Sequence, residues 1–391
     1  MPDFYITNEQ LREMRSLPLN DKIQLSVAKI LQTINITDGN IYVAYSGGKD
    51  SGVILDLVAH TWSITKHKDE PLFVGFANTG MEYKGMVDFV KFFVKFIGER
   101  YGIEIKLIIT QPKKPFKKVI EEVGYPVATK WVAEYIQRIR CQIYEAGLSM
   151  KDFIEHIDRT IDNYYWLLEH GIGRSSCVAI TGWWEQDGEF KRAKNYTLAR
   201  RWLPLIWSPF KVSNECCKHL KKIPQKELES LGRSAIYGLM ADESLLRERQ
   251  YMMQGCVNII GDGQVKAQPM GFWTFQDVCE YYYKFPEIPL FNVYGKAVKN
   301  PDGTFGLDGA MQRTGCKLCL FGCAFADNGI HQMKKLEPHT CEVALKPLDQ
   351  GGFGYKEVIE YLNTYCGCNI DFGQNGEQLD VFNCEGGLQC E

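Results

Sequence analysis

No long apolar run occurs in this sequence, and that absence excludes a whole class of protein. A helix needs roughly 18–20 consecutive apolar residues to span a bilayer, and the 391-residue chain has no such stretch. The opening MPDFYITNEQLREM lacks both a basic start and an apolar core, so it does not read as a secretory signal. A reducing, cytoplasmic location without a membrane partner is expected. Charge of one sign is also missing. Lys and Arg number 45 against 48 Asp and Glu, a net charge of −3, so no global field calls for nucleic acid or an anionic surface. There is no internal repeat, no low-complexity tract and no Walker A pattern. With 45% hydrophobic and 24% charged residues, the chain is neither disordered nor collagen-like.

Cysteine is what the sequence has in quantity: 14 residues. In a reducing compartment these read as metal ligands, catalytic thiols or core residues rather than as a disulfide framework. Cys141, Cys177, Cys256 and Cys279 fit the core reading.

At about 150 residues per domain, the length suits two to three domains or one large α/β domain with additions. Residues 1–38 read as a helical packing segment. Ile23, Val27, Ile30, Leu31 and Ile34 follow helical spacing, and Asp21 caps or begins that helix. An α/β body is expected over 39–330, with a helical or irregular insertion near 140–211, followed by a cysteine- and glycine-rich extension over 331–391. Strand candidates at 41–45, 72–77 and 103–110 alternate with helix candidates at 52–58, 86–96 and 117–123. That alternation predicts a parallel twisted sheet with helices on both faces, with ligands bound beyond the carboxyl ends of the strands. A further helix is expected across Ile154, Ile157, Ile161, Tyr165 and Leu168, ending at Gly171 or Gly173, and another over Tyr355–Tyr365.

Two patterns carry chemistry. The first is Ser46-Gly47-Gly48-Lys49-Asp50-Ser51 between a strand and a helix. Its glycines let backbone N–H groups approach an anion, and the helix adds its positive end. Ser46 and Ser51 supply hydroxyls and Lys49 a cation. The second pairs adjacent Cys216 and Cys217 with the C-x-x-C of Cys316 and Cys319. Four thiolates suit tetrahedral zinc or an iron–sulfur cubane. Adjacent cysteines reach different irons more easily than one zinc, which favours a 4Fe–4S cluster. Lys218 and Arg313 would offset its charge, and Cys323 is a spare ligand. A third stretch, Lys191–Arg201, holds Lys191, Arg192, Lys194, Arg200 and Arg201 without an acid, among Trp183, Trp184, Tyr196, Trp202 and Trp207. It reads either as a solvated basic loop or as a nucleic-acid contact that uses stacking and phosphate binding.

Together these residues resemble the phosphoadenylyl-sulfate (PAPS) reductase family of the ATP pyrophosphatase (PP-loop) superfamily, and within it the iron–sulfur adenylyl-sulfate reductases. The resemblance rests on Ser46–Ser51, Asn78-Thr79-Gly80-Met81-Glu82, Gly124-Tyr125-Pro126 with Lys130, Cys216-Cys217 with Leu220-Lys221, Gly238 through Arg247, and Arg313 through Cys319. It covers roughly residues 38–330.

The resemblance implies a PP-loop, adenine nucleotide alpha hydrolase-like fold. The ligand would be an adenine nucleotide, ATP or adenylyl sulfate, with magnesium a compatible companion. Ser46, Gly47, Gly48, Lys49, Asp50 and Ser51 would hold its phosphates. Asn78, Thr79 and Gly80 would lie near the nucleotide. Glu243, Ser244 and Arg247 would order the substrate loop, and the four cysteines would ligate the cluster.

Three departures stand out. Met240 replaces an expected arginine, the segment between Pro126 and Cys216 is longer than usual, and the tail reads Glu385-Gly386-Gly387-Leu388-Gln389 where the family has a nucleophilic cysteine motif. Cys384 and Cys390 flank that stretch and are the candidate nucleophiles, with Cys323 a candidate sulfur carrier. Reductive cleavage of a sulfonucleotide, aided by a protein thiol reductant, is the first reading. ATP-dependent sulfur transfer to nucleic acid, as in DNA phosphorothioation, is the second, and a non-catalytic nucleotide or redox sensor the third. A homo-oligomer is left open.

Overall fold

Two helices open the chain, α1 (Asn8–Ser16) and α2 (Leu19–Ile36). Pro18 separates them, because proline has no N–H to donate and is tolerated only at a helix start. The computed structural model describes residues 5–193, 195–260, 264–325 and 329–371. Since α2 begins at Leu19, Asp21 does not cap it but lies in the first turn, where its charge suits the positive helix end. The buried face is also turned from the expected one. Leu19, Lys22, Ser26, Ile30, Thr33 and Ile34 point inward, while Leu31 is exposed. Polar bonds set that rotation. Lys22 Nζ donates to both carboxylate oxygens of Asp277 at 2.7 Å. Ser26 Oγ accepts from Trp273 Nε1 and donates to the Pro269 carbonyl.

Next come β1 (Ile41–Ala44), α3 (Lys49–Ser63), β2 (Leu72–Ala77), α4 (Met86–Tyr101), β3 (Ile105–Thr110) and α5 (Phe116–Val123). The insertion holds β4 (Val127–Ala128), α6 (Lys130–Glu145), α7 (Met150–Glu155), α8 (Ile161–Glu169), α9 (Arg174–Thr181), β5 (Trp183–Gln186) and β6 (Glu189–Arg192). After a 3-10 helix (Arg200–Trp207) and a π-helical turn (Lys218–Lys222) come α10 (Ile223–Glu229), β7 (Ser234–Tyr237), α11 (Leu245–Gln254), β8 (Val257–Ile259), β9 (Val265–Ala267) and α12 (Phe275–Lys284). The chain continues with β10 (Ala297–Lys299), β11 (Phe305–Leu307), β12 (Leu320–Phe321), α13 (Met333–Leu336), α14 (Pro338–Leu345) and α15 (Tyr355–Cys366).

The main sheet runs β3-β2-β1-β7-β9-β8. All neighbours are parallel except β8, which pairs antiparallel with β9. The chain steps outward from β1 through β2 and β3, then returns to place β7 on the other side of β1. Strand order therefore reverses at β1, and a crevice opens beyond its carboxyl end. On one face α10 covers Tyr42 and Ala235 through Leu228. On the other lie α2, α3, α4 and α12. This is the expected α/β architecture of a mainly parallel sheet with helices around it.

The insertion departs from its sequence reading twice. The helix expected across residues 154–168 is broken, because Thr160 Oγ1 accepts from Asn163 N at 3.1 Å and starts α8 afresh. The basic stretch is not a plain loop. Lys191 and Arg192 end a hairpin in which the preceding Asp187 and Gly188 turn with φ of 53° and 79°, the two positive values a type I′ turn needs. Among the described residues, no helix is long and apolar enough to cross a membrane.

Candidate functional site

The loop after β1 is held by its own hydroxyls. Ser51 Oγ donates to Gly48 O at 2.9 Å and accepts from Ser46 N at 3.1 Å, and it lies 2.9 Å from Ser46 Oγ. Gly48 sits at the N-cap of α3 with no side-chain cap, so the first-turn N–H groups face the loop. Gly47 has φ of +76°, and any Cβ there would run into Met86 Sδ. The end of β7 passes over the same turn: a Cβ on Gly238 would come within 2.6 Å of Asp50 O.

Lys49 is placed differently from a phosphate-facing cation. It is buried, pairs with Asp50 Oδ2 at 3.0 Å and lies over the rings of Phe275 and Tyr294. Asp50 Oδ1 is buried without a partner. Beside the loop, Tyr45, Gly47, Gly48, Lys49, Phe89 and Phe291 line a shallow surface depression.

The turn after β2 lies alongside. Gly80 N donates to Asn78 Oδ1 at 2.9 Å, and buried Thr79 donates through N and Oγ1 to Glu82 Oε1 at 3.0 and 2.8 Å. Thus the loops that end β1 and β2 both sit at the strand-order reversal.

Residues 40–153, which span β1 to α7 and contain both loops, match the phosphoadenosine phosphosulfate reductase domain. The match covers less than a third of the chain, and it makes this stretch similar to the PAPS reductase domain of sulfonucleotide enzymes. No curated protein matches the chain.

Outside the matched stretch, further groups close on it. Glu243 Oε1 accepts from Met240 N at 3.2 Å and from Arg247, while its Oε2 accepts from Arg313. Ser244 Oγ caps α11 by accepting from Arg247 N. One carboxylate thereby fixes two guanidiniums. Met240, standing where an arginine was expected, is buried and contributes its backbone only.

The Arg313–Cys319 segment touches both loops of the matched stretch. Thr314 Oγ1 lies 2.6 Å from Tyr294 OH, and both approach Gly48. Cys316 Sγ lies 3.7 Å from Thr79 Oγ1, and Lys317 N donates to Met81 O at 2.7 Å. Between the cysteines, Leu318 has φ of +60°, a left-handed value costing of order 1–3 kcal/mol for a residue with a side chain. The buried Tyr355 hydroxyl at the start of α15 holds it by donating to Leu318 O at 2.6 Å.

Cys216 and Cys217 enter from the start of the π-helical turn and hydrogen-bond each other. The Cys217 thiol is held below its ordinary value, first by Cys216 and then by Lys130, Lys221 and Lys222. Cys216, its donor, moves up, with burial adding to the effect. Burial pushes Cys319 up to about 12 and raises Cys316 as well. Lys221, near Cys316, Cys217 and Cys319, is raised chiefly by Cys316. All four thiols therefore lie within electrostatic reach of one another. No group of three or more His, Cys, Asp or Glu among the described residues is gathered tightly enough for a single metal ion.

The remaining expectations fall in different places. Cys323 is fully buried, 3.7 Å from Cys368 Sγ. Cys384 and Cys390, with the Glu385–Gln389 stretch, lie outside the described residues, as does Lys194. Cys177, Cys256 and Cys279 are buried, but Cys141 is exposed. The apolar face of α6 is Val132, Ala133, Ile136, Ile139 and Ile143, and Cys141 is not on it.

The basic stretch is largely occupied. Arg192 stacks on Trp183, and Arg200 pairs with Asp158 at 3.5 Å. Arg201 donates to the Cys366 and Gly367 carbonyls at 2.9 and 2.8 Å. The sequence reading missed Tyr294 entirely, since a lone tyrosine in an irregular segment gives no spacing signal.

Proposed function

We propose that the chain cleaves a sulfonucleotide of the adenylyl-sulfate type, with Cys216, Cys217, Cys316 and Cys319 holding a 4Fe–4S cluster beside the nucleotide. The observation that carries this is the placement of Arg313–Cys319 against both the Gly48 loop and the Thr79 turn. The donor set fits the group: four sulfurs from two segments, with Lys130, Lys221 and Lys222 to balance thiolate charge. When bound, such a cluster supplies one-electron redox capacity and a local charge field.

The other roles belong to the chain's own side chains. Ser46, Ser51 and the first-turn N–H groups of α3 receive the phosphates. Arg247 and Arg313, already oriented by Glu243, leave one positive charge in excess for the sulfonate end. A thiolate, with Cys384 and Cys390 the candidates, attacks the sulfonate sulfur. A sulfur–sulfur bond forms, the sulfur–oxygen bond to the phosphate breaks, and the nucleotide leaves with that oxygen. A reductant thiol then attacks the cysteine sulfur, sulfite departs with the electron pair, and a disulfide remains.

The test is anaerobic purification followed by iron and sulfide analysis and parallel assays with adenylyl sulfate, phosphoadenylyl sulfate, and ATP plus nucleic acid. Brown protein that releases sulfite from adenylyl sulfate is expected. Colourless protein with one zinc overturns the cluster assignment, and unchanged turnover in a Cys384→Ser, Cys390→Ser double variant overturns the tail nucleophile. Sulfur transfer to nucleic acid has one supporting observation, the exposed rings of Tyr196 and of Trp184, which lies across the hairpin from Lys191. Salt-sensitive DNA or tRNA binding lost on Lys191→Ala and Arg200→Ala would favour it. Arg201 does not serve that test, because it holds the end of α15.

A further inference from the structure

Two thiols outside the candidate cluster site face each other. Cys323 Sγ and Cys368 Sγ are 3.7 Å apart although the residues are 45 positions apart in the chain. Both are buried. A disulfide bond is about 2.0 Å long, so about 1.7 Å remains to be closed.

Each thiol is held in place by its backbone. Gly322 N donates to Ala128 O, Cys323 N to Leu320 O, and Cys323 O lies 3.1 Å from His331 Nε2. On the other side, Arg201 holds the Cys366 and Gly367 carbonyls, Cys368 N donates to Leu362 O, and Asn363 bonds Ile370 through both its amide nitrogen and its oxygen. Two cysteines brought so close from separate, fixed turns need little rearrangement to bond.

We propose that Cys323 and Cys368 form a reversible disulfide on exposure to a hydroperoxide, fastening the end of α15 to the segment that follows Cys319. Cys368 is the attacking thiol. The hydrogen bond from Cys323 lowers its pKa, and Arg201 adds to that, which raises its thiolate fraction. The Cys368 thiolate attacks one peroxide oxygen, the O–O bond breaks, and a sulfenic acid forms as hydroxide takes a proton and leaves as water. Cys323 sulfur then attacks the sulfenic sulfur. The S–S bond forms, the S–O bond breaks, and the second water carries off the Cys323 proton. The two thiols lose two electrons and the peroxide gains two. A dithiol reverses the step by exchange.

The full chain, purified anaerobically, is treated with stoichiometric hydrogen peroxide, quenched with N-ethylmaleimide under denaturing conditions and mapped without reduction. The expected result is a Cys323–Cys368 linked peptide in most molecules, the loss of two alkylatable thiols per chain, and recovery of both on dithiothreitol treatment. Recovery of Cys323 and Cys368 as maleimide adducts, as sulfinic acids, or linked to Cys366 or Cys319 instead, overturns the proposal. The linked peptide is also expected to vanish in Cys368→Ser while the thiols of Cys177 and Cys279 stay alkylatable. The wild-type map alone supports or overturns the pairing, whether or not that variant folds.

Discussion

Cys319 and Cys323 stand almost side by side in sequence, yet they belong to two unlike thiol regions. The Cys216, Cys217, Cys316 and Cys319 group lies against the Thr79 turn, with Lys130, Lys221 and Lys222 about it. Its C-x-x-C turn is strained at Leu318 and held from outside by Tyr355. The Cys323 and Cys368 pair lies between two hydrogen-bonded turns, with Arg201 beside it. The residue type is the same throughout. Cations and a neighbouring glycine loop suit the proposed charged prosthetic group and its substrate, whereas a close pair of fixed sulfurs suits a bond between them.

The sharpest way to separate the two regions is Cys316→Ala. Bound iron should fall to background while peroxide still links Cys323 to Cys368, as read by iron analysis and peptide mapping on the same sample. If both are lost, the regions are not independent.

A smaller effect is expected at the nucleotide side from Gly47→Ala. The left-handed φ and the collision with Met86 should cost about 1–3 kcal/mol and weaken adenylyl-sulfate binding about tenfold or more. Thermal melting and calorimetric titration measure both, and wild-type affinity would show that this backbone is not the phosphate cradle.

Tyr355→Phe removes the hydrogen bond to Leu318 O. The stability loss should be about 0.5–1.5 kcal/mol, with faster iron loss to a chelator and no change in Cys323–Cys368 linkage. An unchanged rate of iron loss would make the cysteine turn independent of α15.

The smallest effect concerns Asp56 on α3, whose pKa is raised by burial against the opposing hydrogen bonds of Tyr281 and Tyr101. A carboxyl with a folded-state pKa above its unfolded value of about 3.9 keeps its proton longer in the folded state. Its contribution is therefore full at low pH and falls away as pH rises through the folded pKa. Asp56→Asn should flatten that decline in urea unfolding followed from pH 4 upward, and an identical slope would deny the shift.

The sheet's first half was legible in the sequence because its signals are local. Strand, glycine turn and helix follow one another from Ile41 to Val58, and a single glycine pattern marks the phosphate loop. What escaped the sequence depends on distant partners. The rotation of α2 follows from Asp277 and Trp273, which hydrophobic spacing does not see. Cys323 looked like a spare ligand because its neighbour in space is Cys368. The hairpin did leave a local sign, Asp187-Gly188 between alternating residues, but the positive charges that follow it drew the reading toward a loop. Arg201 looked like one of several free cations until its carbonyl partners in the α15 turn were in view.

The hydroxyl of Tyr355 on the Leu318 carbonyl also bears on the order of events at the ribosome. Synthesis runs from the N-terminus, at about 5–20 residues per second, so all four candidate ligand cysteines emerge before Tyr355 exists. Until then nothing from α15 offsets the cost of the left-handed residue between Cys316 and Cys319, and the turn is free to relax. The geometry of the Cys316–Cys319 turn is thus completed last, by a residue from a later helix.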